Sequence, residues 1–214
     1  MSENQTAAQK IEGYFTGVLD VYFAVMSQED TARSAPVYGA MKVLASTIEV
    51  TITPQYKEGK VNASNTVKRN ERRIDSYKVR MNLDKIPFSV RKEILGRATD
   101  GKGVQVIYGS QNAPYVAIAF AQTLDNGEQE DWVLYKGKFA EGEATMRTEE
   151  DGTITYQHPT VEATFVRRAY DNALAGIAST EDESVDESVF ENWFSSVYEP
   201  TAVSDDEPGP ASGT

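Results

Sequence analysis

Apolar and charged side chains alternate along much of this chain, and the alternation marks strands. In 46–53, STIEVTIT, Ile48, Val50 and Ile52 share one face and Glu49, Thr51 and Thr53 the other. Residues 76–84, SYKVRMNLD, repeat this with Tyr77, Val79, Met81 and Leu83 against Lys78, Arg80 and Asn82. A period of two puts one face in a core and leaves the other wet or against a partner. Aromatic and β-branched residues predict a strand over 20–27, and KGVQVIYG predicts another over 102–109. In 113–124, Val116, Ile118 and Phe120 alternate with Ala117, Ala119 and Ala121, so both faces are apolar and the strand is covered on both sides. Asp125-Asn126-Gly127 predicts a hairpin turn, because glycine accepts the positive φ a tight turn needs, and EDWVLYKGKF pairs back across it. Asp151-Gly152 opens a further turn into TITYQHPTVEATFVRR.

The period changes in two places. PFSVRKEILG, 87–96, has helical spacing: Pro87 suits a first turn, Val90, Ile94 and Leu95 form a stripe, and Gly96 suits the C-terminal cap. Near the end, Val189, Phe190, Trp193, Phe194 and Val197 lie on one helical face behind a capping box of Ser184 and Glu187, predicting a helix over 185–198 that packs on its own domain. TAVSDDEPGPASGT is too polar to build a core and predicts disorder. Between two of the strands lies QYKEGKVNASNTVKRNERR, 55–73, read as a long polar loop. The organisation expected is a β domain over 1–176 and an acidic extension over 177–214.

Charge sharpens that division. The 214-residue chain carries a net charge of −12, yet residues 1–168 hold 22 acidic and 21 basic side chains, whereas 169–214 hold 11 acidic ones and no basic one. A basic surplus of the kind that grips nucleic acid is absent. With no cysteine, disulfides, thiolate metal sites and a cysteine nucleophile are excluded, as a reducing compartment would allow. Residues 1–6 lack the basic start of a signal peptide, and no apolar run approaches membrane length; the expectation is a soluble intracellular product.

Catalytic chemistry has little to stand on. His158, the only histidine, has no partner pattern for a triad or a metal and reads as a strand-end residue beside Pro159. Glu149, Glu150 and Asp151 lead into a turn and read as a solvated hairpin end; a calcium loop spaces its ligands, and a glycosidase opposes its carboxyls. Gly101-Lys102-Gly103 lacks a third glycine and a following helix, so it is no dinucleotide fingerprint. Asn62-Ala63-Ser64 matches a glycosylation acceptor, without meaning in a chain that is not secreted. The basic residues of 55–73, Lys57, Lys60, Lys68, Arg69, Arg72 and Arg73, are the candidate contact set. Tyr56 is the only aromatic among them, so docking on protein is favoured over stacking on single-stranded nucleic acid.

Four segments carry a resemblance: KIEGYFTGVLDVYFAVM, RRIDSYKVRMNLDKIPFSVRKEILGR, NAPYVAIAFAQTLDNG with WVLYKGKFAEGEA, and YQHPTVEATFVRR. In their order and spacing the chain resembles, over residues 10–168, the major tail tube proteins of long-tailed bacterial viruses with non-contractile tails. The resemblance implies a mainly β (α+β) fold, a β-sandwich or barrel of about seven or eight strands flanked by a short helix, similar to the tube protein of the type VI secretion system. It also implies a non-enzymatic virion protein without cofactors, assembled in the host cytoplasm as hexameric rings that stack into a tube. Its partners would be further copies of itself, the tape-measure protein, the tail terminator and the distal tail proteins. DNA would pass through the lumen without specific binding, and no membrane would be engaged. The basic set would meet a neighbouring subunit across the ring-to-ring interface. The residues alone leave an alternative, a β-sandwich module that binds carbohydrate or protein or decorates the virion.

Overall fold

The computed structural model describes residues 13–63, 66–110, 112–142, 146, 148 and 156–201, with backbone alone for 60–63 and 66–70. Its strands are β1 (Phe15–Val18), β2 (Val21–Gln28), β3 (Val37–Tyr38), β4 (Lys42–Ala45), β5 (Thr47–Ala63), β6 (Thr66–Leu83), β7 (Ala98–Thr99), β8 (Gln105–Val106), β9 (Val116–Leu124), β10 (Gln129–Ala140), β11 (Thr160–Val166) and β12 (Ala175–Ser179). Two helices accompany them, α1 (Phe88–Leu95) and α2 (Glu187–Asn192). The main sheet is antiparallel and runs β3-β2-β9-β10-β11-β6-β5, with β1 added to β9, β4 to β2 and β12 to β10; β7 and β8 form a separate pair. The pattern predicts seven or eight strands; those it does not foresee, β1, β3, β4, β7 and β12, are two to five residues long, too short to display a clear period. Of the strand expected over 102–109, only Gln105–Val106 pairs, because Asp100 accepts the Lys102 and Val104 amides and turns the chain.

Two cores lie on opposite faces of the β2–β9–β10 region. Val116, Ile118 and Phe120 of β9 join Phe23, Met81, Leu134, Phe165 and the α1 residue Ile94 in the larger one. Ala117 and Ala119, pointing the other way, join Ala24, Val133, Tyr135, Trp193 and Val197 in the second. β9 is therefore covered on both sides, as its double apolar pattern requires. Gly127, at φ 88°, makes the turn into β10. α1 ends at Gly96, whose left-handed φ of 63° lets the Arg97 amide reach the Lys92 carbonyl at 2.9 Å.

The C-terminal segment packs on the sheet across the expected boundary at 176. That boundary falls inside β12, which pairs with Glu130–Leu134 of β10. The expected helix over 185–198 is helical only over Glu187–Asn192, then continues in turns that still bury Trp193 and Val197. Its cap is Asp186, which accepts the Ser188 amide at 2.9 Å, while Ser184 bonds Asp182. Aspartate caps as well as serine and adds a negative charge where the helix end is positive. Buried Arg168 ties the segment down. Its guanidinium holds the Asp171 carboxylate, donates to Glu199 at 2.7 Å and lies 4.3 Å over the Tyr135 ring. Burial pulls the Arg168 pKa down, but the bonds to Asp171, Tyr38 and Glu199 outweigh it and hold the group charged. Beside it, Lys136 and buried Asp30 pair at 2.5 Å, and Asp30 also accepts the Ala169 and Tyr170 amides.

Candidate assembly surface

The stretch 55–73 is not a loop. β5 and β6 stay paired from Thr47↔Leu83 out to Ala63↔Thr66, so the segment is the outer half of a long β-hairpin. Body and arm are one continuous ladder. Near the body, Val50 and Ile52 face Met81 and Val79 over the core. Beyond Tyr77 no β5 or β6 side chain is buried among those described, so the alternation that marks a strand disappears although the strand does not. Glycine, lysine, glutamate and asparagine are poor strand formers by composition; here the pairing begun over the core carries them outward, through register shifts at Gln55/Tyr56 and Val61/Asn62. β11 covers β6 only as far as Ser76, paired with Val166, so beyond this point the arm is a two-stranded ribbon. At its root Arg167 donates to the Ile74 carbonyl.

The ribbon brings part of the basic set together. Lys57 and Arg73 sit directly opposite each other, and each turns to a carboxylate: Lys57 to Asp75 at 2.6 Å, Arg73 to Glu71 at 3.2 Å. Arg72 faces Glu58 across the ladder, 3.9 Å away, and lies 3.8 Å over the Tyr56 ring on the opposite face. All three cations remain well exposed. Lys60, Lys68 and Arg69 follow along the ribbon in backbone register, opposite Asn70, the bulge beside Val67, and Val61. Sequence reasoning missed Lys78 and Arg80, which continue the Lys57–Arg73 face toward the body beside Thr53 and Thr51. Their signal is present in SYKVRMNLD, whose polar face is basic and is read as wet or against a partner. Tyr56, dismissed for base stacking, instead seats a guanidinium.

The other candidates stay apart from this surface. His158 is partly exposed, its Nδ1 3.7 Å from Asp84 Oδ1, at a broad cleft of about 930 Å³ that also takes in Arg91, Arg97 and Glu141. Arg97 clamps Glu141 at 2.6 Å, and among the described residues lining that cleft none pairs a nucleophile with a base. Gly101-Lys102-Gly103 forms the turn between β7 and β8. Asn62 and Ala63 end β5; Glu149, Glu150 and Asp151 lie outside the described residues, as does Ser64. Among the described residues no group of three side chains is placed to hold a metal ion, and no helix is long and apolar enough to cross a membrane. The apolar stripe Val189, Phe190, Trp193, Phe194 and Val197 packs on its own sheet, as expected.

No curated protein matches the chain significantly. A family described as phage tail tube protein matches it over residues 37–201, a span that runs from β3 through both cores, the ribbon and the C-terminal segment. The chain therefore belongs to the phage tail tube protein family.

Proposed function

We propose that this structural tail protein is the repeating subunit of the tube itself. Six copies close into a ring, rings stack around a tape-measure protein, and the finished tube conducts DNA into the host cell. The tail terminator and distal tail proteins would close its two ends. The family match over most of the chain carries this reading. Two features support it. Among the described residues no further strand pairs with the outer side of the edge strand β5, and in a lone molecule such an edge invites uncontrolled pairing, whereas a defined assembly occupies it. The ribbon also projects past any core of its own, which fits a device for gripping a neighbour. Under this reading Lys57, Lys60, Lys68, Arg69, Arg72 and Arg73 are subunit contacts, and the chain has no catalytic role.

A conduit for DNA must not retain it. A net charge of −12 with no basic surplus in the body suits that requirement, since a cationic lumen would hold the phosphate backbone. Electron microscopy of the purified chain, alone and with tape-measure protein, tests the proposal. Hollow tubes or six-fold rings are expected. A protein that stays monomeric under both conditions and shows a glycan preference would replace it with the decoration-module reading.

A further inference from the structure

Building on the self-assembly reading above, we propose that the basic ribbon of one copy docks on the acidic C-terminal segment, residues 181–191, of the adjacent copy.

The two surfaces have opposite charge, and the cations of one are held within their own chain only by surface ion pairs. Glu183, Glu187 and Glu191 are exposed and have no cation beside them among the described residues. Glu187 and Glu191 stand one turn apart on α2, where like charges repel. Nothing in the neighbouring sequence can relieve them, because residues 169–214 contain no lysine or arginine. On the ribbon, Lys57, Arg72 and Arg73 are 77%, 60% and 71% exposed at the side chain. Of their carboxylate partners Glu58 is exposed and Glu71 and Asp75 are half-buried, and such surface pairs hold so weakly that exchanging them for a neighbour's carboxylates costs little. Lys78, farther in, has no ion pair among the described residues.

Topology sets the two surfaces at compatible heights. β6 and β10 run in the same direction on either side of β11. From the Ser76↔Val166 pair the ribbon continues to Thr66, roughly 33 Å at ~3.3 Å per residue. β10 continues the same way from Gly137, opposite Phe165, to Gln129, whose carbonyl accepts the Thr180 amide where the acidic segment begins. Ribbon and segment thus lie toward the same end of the sheet but at different places across it. If the axis relating neighbouring copies runs along the strands, rotation about it brings one copy's ribbon beside the next copy's segment with no shift along that axis. Within one chain no ion pair joins them among the described residues. In that arrangement the contact is side by side, and its charges would select orientation and register.

Charge exchange tests this. One variant carries Lys57→Glu, Arg72→Glu and Arg73→Glu; the other carries Glu183→Lys, Glu187→Lys and Glu191→Lys. All six positions are exposed, and circular dichroism checks that each variant folds. Under conditions where the unmodified chain forms tubes, each variant alone is expected to yield at least tenfold less sedimentable assembly, and an equimolar mixture to recover it. Loss in the ribbon variant with normal tubes from the segment variant overturns the docking site while leaving self-assembly intact. Failure of the mixture to recover also overturns it. An unmodified chain that never assembles would remove the self-assembly reading on which the proposal rests. Because the chain has no cysteine, a second measurement is clean: Lys57→Cys and Glu187→Cys variants are mixed and oxidised. A disulfide-linked heterodimer is expected, and its absence from assembled material counts against the contact.

Discussion

Asp131 shows what alternation cannot say about a single residue. It lies fully buried in β10, opposite Ala121 of β9 and Ala178 of β12. One carboxylate oxygen has no partner and the other accepts only a 3.3 Å bond from Gln129. Burial pushes its pKa up from 3.8 to about 6, against a weak downward pull from Gln129. The folded chain therefore binds this proton more tightly than the unfolded one. The stability linked to it is present in full below about pH 3.8 and is lost as the pH rises toward about 6. Asp131→Asn should flatten that dependence and raise stability above pH 6 by about 1–3 kcal/mol. Urea unfolding at about pH 4.5 and about pH 7.5 checks this; an unchanged difference between the two would rule it out. Asp30 and Asp171 work in the opposite direction. Burial raises them, but bonds from Lys136 and Arg168 win and hold both below 3.8, so their contribution is lost as acid is added below that value. In sequence Asp131 and Asp30 are charges expected outside; their burial was illegible because the place in the sheet and, for Asp30, the pair with Lys136 decide it, not residue type. Gly137 was equally silent. A Cβ there would land in the ring of Phe165, its partner across the β10–β11 ladder, so Gly137→Ala should cost about 1–3 kcal/mol in thermal or urea unfolding.

Among the elements, those with a buried stripe were the legible ones. β2, β9, the hairpin turn at Gly127 and α1 stand within a few residues of where period and punctuation put them. The outer halves of β5 and β6 carried no such signal, because both of their faces are wet. The C-terminal segment was half legible: its apolar stripe packs inward as read, but its acidic composition concealed that β12 completes the sheet before it. That segment is held by Trp193, 2% exposed with its indole N–H donating to the Trp132 carbonyl at 3.3 Å. Trp193→Ala should destabilise the protein by about 3 kcal/mol or more, since it removes a large side chain from the second core. The same variant should make the chain after β12 the first site of limited proteolysis. Deleting 202–214, by contrast, leaves Val197 and the Glu199–Arg168 bond in place, and the melting temperature should move by no more than a degree or two. If that truncation gives insoluble protein, the segment's hold on the body depends on residues beyond Thr201.

At the scale of the whole molecule, the basic run was visible in the sequence as six cations between two strands, but the shape that presents them was not. A loop would dissipate those charges in solvent. A ribbon whose strands fix each other's register places Lys57 and Arg73 on one face and Arg72 on the other, at spacings a repeating partner can match. Each exposed pair contributes little alone, on the order of 0.2–1 kcal/mol, and salt screens it further. Under the proposed assembly repetition would make the difference, because every subunit added to a tube would form the same contacts again. Replacing Lys68, Arg69, Arg72 and Arg73 with serine removes four of them from a surface that buries no described side chain, so circular dichroism and thermal unfolding should match the parent protein. Assembly should not. Tubes should fail to grow, or should dissociate at a salt concentration several-fold below that which the parent tolerates, as followed by sedimentation and microscopy. The steepness of the salt dependence separates a charge effect from a general loss of fit: weakened contacts of another kind would lower the yield equally at every ionic strength. Normal tubes at normal yield across that range would return the ribbon to solvent and leave the backbone edge of β5 as the assembly element.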